Sequence, residues 1–196
     1  MNDFRRPSLP GPLLFEAQEG GHDPAEAAAA GHRIAALLVR GPNNPTDAGL
    51  VDRVTRLADT EGLGVIAELW ATAPADTVAG SLWRLYLLRT WVHRQPAQAA
   101  REFAAGRTWA PVADALAGLV DPPSPDDVVR LVDTVVGGIV RSDFDVILDR
   151  AAAFAQVVAV GRGHLDSGDP VSAARLFDLA TQLRHAAALE RRSQLH

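Results

Sequence analysis

Apolar positions recur at intervals of three and four along most of this chain, the spacing that lines one face of an α-helix. Between these stretches stand helix-end signals. Asp23-Pro24 pairs an N-cap acceptor with a proline at the first helical position, where its missing N–H costs nothing, and Gly41-Pro42 closes the helix. Thr46 opens a second helix with Leu50, Val51, Val54, Leu57 and Ala58 on one face. A shorter one is expected from about Leu63 to Ala71, ahead of Pro74. A long helix follows over Ala75–Arg94 and is broken at Gln95-Pro96. Short helices near Ala97–Ala105 and Ala110–Leu119 lead to the Asp121-Pro122-Pro123 turn. Ser124-Pro125 begins a helix to about Val140, Asp143 one to about Gly161, and Asp169-Pro170 one reaching about Arg191. The pattern predicts an all-α protein, a single globular bundle of about eight or nine helices over 23–196.

The distribution of apolar residues around each helix predicts how deeply it is buried. Over Ser124–Val140, Val128, Val132, Val135 and Ile139 share a face while Arg130, Asp133 and Thr134 point away, which marks a surface helix. Ala75–Arg94 is apolar on two sides: Val78, Leu82, Leu85 and Val92 form one face, Trp83, Leu87 and Trp91 the other. Asp143–Gly161 is apolar nearly all round. These two helices are expected to be central and to cross in the core.

Residues 1–22 lack periodicity and are rich in Pro and Gly, so they read as an extended arm; the embedded Leu13-Leu14-Phe15 offers it an apolar docking point on the body or on a neighbouring subunit. Pro96–Phe103 and Pro170–Phe177 share Pro, Ala-Ala-Arg and Phe at the same spacing, and the second copy resembles the second helix of a tetratricopeptide repeat over fewer than ten residues. The other marker positions of that family are missing, so the expectation is a non-solenoid bundle of ordinary capped helices.

Composition narrows the chemistry. There is no cysteine, which removes disulfides, thiolate catalysis and Cys-based metal sites. The net charge is −5 and every basic residue is arginine, which points to a GC-rich, bacterial coding genome. An acidic balance argues against general nucleic-acid binding. No apolar run reaches the length of a membrane span, and prolines interrupt the N-terminal segment where a signal sequence would need a continuous apolar stretch, so a soluble, cytoplasmic chain with no membrane partner is expected.

No histidine pairs as HxxxH, no Glu-x-x-His stands on a helix, and there is no phosphate-binding glycine motif or serine elbow. Neither a metal nor a cofactor is expected, and no catalytic residue is assigned. What the sequence does offer is polar groups within apolar patterns. Arg89 and His93 fall on the inner side of the Ala75–Arg94 helix, and Asp145, Asp149 and Gln156 make a polar stripe on Asp143–Gly161. Packing the two helices together would pair Arg89 with Asp145 or Asp149, as a buried ion pair or as the clamp of an anion pocket. Trp83, Tyr86 and Trp91 read as core, interface or pocket wall. Arg184, His185, Arg191 and Arg192 form a basic patch on the last helix, either complementing its dipole or meeting an anionic partner.

The leading expectation is a non-catalytic helical protein acting through contact with a protein partner or with itself, a homodimer included. A small-molecule-binding regulator with an interhelical pocket near Arg89, Trp91 and His93 is the alternative, and a DNA-binding regulator using the basic C-terminal helix is the third.

Overall fold

The structure, a computed structural model, describes residues 24–41, 46, 49–50, 64, 67–109, 123–137, 143–165 and 168–196. Among these it holds six α-helices and no strand: α1 (Pro24–Arg40), α2 (Val78–Arg94), α3 (Pro96–Arg107), α4 (Pro125–Gly137), α5 (Phe144–His164) and α6 (Pro170–Arg191). The described residues are therefore all-α, with six helices among them against the eight or nine expected. Of the helix expected from Thr46, the described residues Thr46, Gly49 and Leu50 are helical; the rest of it, the Ala110–Leu119 helix, the Asp23 cap and the N-terminal arm lie outside the described residues. Of the expected Leu63–Ala71 helix, the described end is a single 3₁₀ turn, Glu68–Trp70. Trp70 fixes it by donating its indole N–H to the Gly31 carbonyl at 2.9 Å.

Local chemistry sets the helix ends. The Thr77 hydroxyl oxygen accepts from the Gly80 N–H at 3.0 Å and so caps α2, which starts at Val78; Ala75 and Asp76 belong to the preceding turn. Asp169 accepts from the N–H groups of Val171 and Ser172 ahead of Pro170. Ser124 and Asp127 form a reciprocal box: the Ser124 N–H donates to the Asp127 carboxylate and the Asp127 N–H to the Ser124 hydroxyl. The Ser124 hydroxyl also donates to that carboxylate at 2.6 Å, and this bond, with the one from the Ser124 N–H, holds the Asp127 carboxyl below its ordinary pKa. Asp143 occupies the N-cap position of α5, but its side chain makes no capping bond there. α1 ends on Gly41, whose φ of +79° is the left-handed conformation that glycine adopts without steric cost.

One helix is central, not two. α5 buries thirteen of its residues, distributed around most of its circumference. Many are alanines, and a helix that presents Ala lets its neighbours approach closely. α6 lies along it in the most extensive helix pairing of the fold, and α3 packs across it. At that crossing a Cβ on Gly161 would stand 1.7 Å from the Glu102 carbonyl oxygen, and one on Gly106 1.8 Å from that of Val157, so the α3 and α5 backbones touch. Phe103 and Phe154 stack beside it with ring centroids 5.4 Å apart.

α2 takes a different place. It buries Val78, Leu82, Leu85, Leu88 and Val92, while Trp83 and Trp91 are half-buried and Leu87 is exposed. The expected crossing of two central helices is replaced by a seam, where Leu85 and Leu88 meet Leu131, Val132 and Val135 of α4 and Ala151 and Phe154 of α5. Large side chains on α2 prevent the close approach that the alanines of α5 permit. α2 is held instead by α1, by α4 and by the chain's last residues: the Val78 N–H donates to the His196 carbonyl at 2.8 Å. Arg40 at the end of α1 bonds the Glu190 carboxylate and the Leu195 carbonyl, and Leu195 itself is buried.

Candidate functional site

The polar residues singled out along the sequence fall into separate networks. Arg89 does not meet Asp145 or Asp149. Its Nε–H donates to Oδ1 of Asp133 on α4 at 2.8 Å, and His93 Nε2 reaches the same oxygen at 2.8 Å. The reason is the placement of α2, whose Arg89 side looks onto α4. Asp133, whose helical phase points away from the α4 apolar face, is thus a bridge between helices. Partial burial pulls its carboxyl pKa up, but the hydrogen bond from His93 and the charge of Arg89 outweigh that and leave it below the ordinary value. The pair is only partly covered, so it is not a buried ion pair.

Asp145 and Asp149 face the other way, onto α6, where both pair with Arg191. These carboxylates raise the Arg191 pKa, the hydrogen bond to Asp149 contributing most. Gln156 accepts from Arg184 at 2.5 Å. Two arginines of the expected basic patch thus belong to an α5–α6 polar edge, while His185 and Arg192 are exposed beside it. Trp83 and Tyr86 stack with centroids 5.7 Å apart, and Tyr86 packs towards Gly64.

Among the described residues the buried ion pair lies elsewhere. Glu102 of α3 and Arg162 of α5 are both more than nine-tenths buried. Arg162 donates from Nε and Nη2 to the Glu102 carboxylate at 2.8–3.0 Å and from Nη1 to the Ser172 hydroxyl at 2.6 Å. Gln98 donates to Glu102 at 2.8 Å, and the Trp91 ring lies 4.9 Å from the guanidinium centre. Every charged group there has partners, which is the condition under which a buried pair is tolerated. In the sequence, Glu102 stands where the echo at Pro170–Phe177 has Leu176, an apolar position; that mismatch is the one signal that could have found it.

Beyond this network a groove opens between α2 and α6. Its deeper part, about 280 Å³, is lined by Leu87, Trp91, Arg162, Ser172, Arg175 and Leu179, with Leu88 and Leu176 beneath. It continues into a second part of about 240 Å³ bounded by Trp83, Arg84, Asp178 and Gln182. The two parts share Leu87, Arg175 and Leu179 and form one trough. Trp91 faces Ser172 and Trp83 faces Gln182, so the two helices run antiparallel along it. The floor is apolar and the walls are charged. Arg84 donates to Gln182 at 2.6 Å and to the Gly80 carbonyl at 2.8 Å, with no carboxylate bonded to it. Burial lowers its pKa, with the charge of Asp76 opposing. Arg175 is exposed on the opposite wall, alongside Asp178. The second apolar face of α2 thus forms the floor of an open groove, and of the residues in the alternative pocket reading only Trp91 lines it.

Among the described residues no three His, Asp or Glu side chains are grouped to hold a metal ion, and no helix is long and apolar enough to cross a membrane. Comparison with protein-family models, with curated proteins and with solved structures finds no match.

Proposed function

We propose that this chain is a non-catalytic protein-interaction module whose binding surface is the groove between α2 and α6. The observation that carries the reading is an exposed, two-turn apolar trough flanked by arginines, on a helix whose opposite face is already buried in the fold. A trough of this kind suits a helical or extended peptide laid along it, with apolar side chains at helical spacing on the floor. Trp83, Trp91 and the adjacent arginines are the residue types that contribute most to such interfaces. A small anionic ligand fits less well: the Arg162 guanidinium is already engaged by Glu102 and Ser172, and Arg89 and His93 stand at Asp133, off the groove.

The test is site-directed photocrosslinking in the native host, with the reactive group at Leu87 in the groove or at Val146, exposed on α5, as control. The expected result is an identified protein adduct from Leu87 and none from Val146. The purified partner then binds the chain, and Leu87→Asp weakens binding at least tenfold, the size of a lost central contact of about 1.4 kcal/mol or more. Equal crosslinking from both positions, or binding indifferent to Leu87→Asp, overturns the reading.

A further inference from the structure

The groove has two properties that restrict what can lie in it. Its floor, Trp83, Leu87, Trp91 and Leu179, accepts a short run of large apolar side chains. Among its lining residues Arg84 and Arg175 stand against one carboxylate, Asp178, while Arg162 is paired with Glu102 and Asp76 acts on Arg84 from outside the groove. The complementary ligand is a compact apolar segment followed closely by carboxylates. This chain contains one. Leu13-Leu14-Phe15-Glu16-Ala17-Gln18-Glu19 places three large apolar residues directly before two acidic ones, outside the described residues.

Length allows the connection. Nine residue steps separate Phe15 from Pro24, and an extended chain covers about 3.3 Å per residue, or about 30 Å. α1 is 17 residues, about 25 Å, and its far end is bonded to Glu190, two turns of α6 beyond the groove residue Gln182. α1 also packs against α2, one of the two groove walls. The tether is therefore somewhat longer than α1 itself.

We propose that the α2–α6 groove is filled in cis by the chain's own Leu13–Glu19 segment, with Leu13, Leu14 and Phe15 on the apolar floor and Glu16 and Glu19 against Arg175 and Arg84. The proposal rests on the groove being a peptide-binding surface and adds its regulation. A partner must displace the segment, so the effective concentration of a tethered competitor sets a threshold for binding. A partner of similar acidic, apolar chemistry succeeds only when it binds more tightly than the segment or is present above that threshold.

The test uses the full chain and its four tryptophans, whose indole N–H signals are resolved by NMR and assigned by single Trp→Phe variants. Replacing Leu13, Leu14 and Phe15 together by serine is expected to shift the Trp83 and Trp91 signals and leave Trp70 and Trp109 in place. A synthetic peptide of residues 10–22 added to that variant returns the two signals to their original positions. Arg175→Glu, at an exposed site, shifts the same two signals, and combining it with Glu16→Arg and Glu19→Arg reverses the shift. Unchanged Trp83 and Trp91 signals in the triple serine variant overturn the proposal. A dimeric mass that the same variant converts to monomer also overturns it, because the segment then occupies a neighbour's groove. The two readings are separable in the serine variant: a Leu87 crosslink to an identified partner, with no indole shift, leaves the interaction function standing and removes the cis segment. An indole shift with no partner adduct does the reverse.

Discussion

α3 and α6 begin with nearly the same words, Pro-x-x-Ala-Ala-Arg-x-Phe, and both pack on α5, yet the fold uses them differently. In α3 the motif is enclosed: Ala99, Ala100, Glu102, Phe103 and Gly106 are all buried. In α6 only one face is covered. Ala173 and Leu176 are buried, while Phe177, the counterpart of Phe103, is 46 % exposed. The motif fixes a proline-started helix with one small-residue face, and both copies obey it. What differs is the number of neighbours. α3 lies under α4 as well as against α5, whereas α6 has α5 on one side and the groove on the other. Exposure of a large apolar residue is thus a property of the assembly, and Phe177 is exposed without being a groove residue.

The sharpest way to break the parallel is to truncate the two phenylalanines. Phe103→Ala should cost about 3–5 kcal/mol, since it empties a stacked, fully buried site against Phe154. Phe177→Ala should stay within about 0.5 kcal/mol, as exposed substitutions do. Urea unfolding of both variants checks this, and equal costs would contradict the asymmetry.

Glu102 and its counterpart Leu176 give the next contrast. Glu102→Ala leaves Arg162 charged and buried with only Ser172 as a partner, and is expected to destabilise by about 3–5 kcal/mol. Glu102→Gln keeps the shape and one acceptor and should recover part of that loss. Thermal unfolding at neutral pH distinguishes them.

Gly161→Ala attacks the α3 side of α5 without touching α6. Its Cβ would meet the Glu102 carbonyl oxygen, so the helices must separate, at a cost of about 1–3 kcal/mol. Gly163→Ala, on the same helix with nothing near it, should be neutral or slightly stabilising, because alanine is the better helix former. A calorimetric comparison of the pair reads the contact directly.

The smallest effect belongs to the partly exposed Arg89–Asp133–His93 bridge, worth at most about 1 kcal/mol. The Asp133 carboxyl has a lower pKa in the folded chain than in the unfolded one, so the folded state binds fewer protons and stability rises with pH through that window. The contribution is present above the ordinary carboxylate value of about 3.9 and disappears as pH falls through the depressed one. The difference in melting temperature between the native chain and Asp133→Asn should therefore shrink towards zero between pH 6 and about pH 3.

Helix class, most helix starts and the central role of α5 were legible in the sequence, because they follow from local rules. Asp169 and the Ser124–Asp127 box are caps with nearby partners, whereas the Thr77 cap falls inside the helix expected from Ala75. Where residues four apart must find partners on another helix, local rules end. The Arg89 position predicted a polar partner but not which one, since that depends on α2 packing onto α4 and standing back from α5. The Asp145 and Asp149 stripe was visible, but its partner, Arg191, was assigned to a separate patch. The second apolar face of α2 was likewise visible, and periodicity could not say whether a neighbour would cover it. Two apolar faces on a helix signify burial only if enough surrounding helices exist to cover both.

The bonds from Arg40 to Glu190 and Leu195 join residues 150 and 155 positions apart. Contacts across such separations close large loops, whose entropy cost favours their formation after the rate-limiting step of folding. The α5–α6 pair, made of neighbours in sequence, can nucleate without them. Weakening the tie at Arg40 should then leave the refolding rate nearly unchanged and speed unfolding, so this knot of α1, α2 and the tail governs how long the folded molecule persists once made.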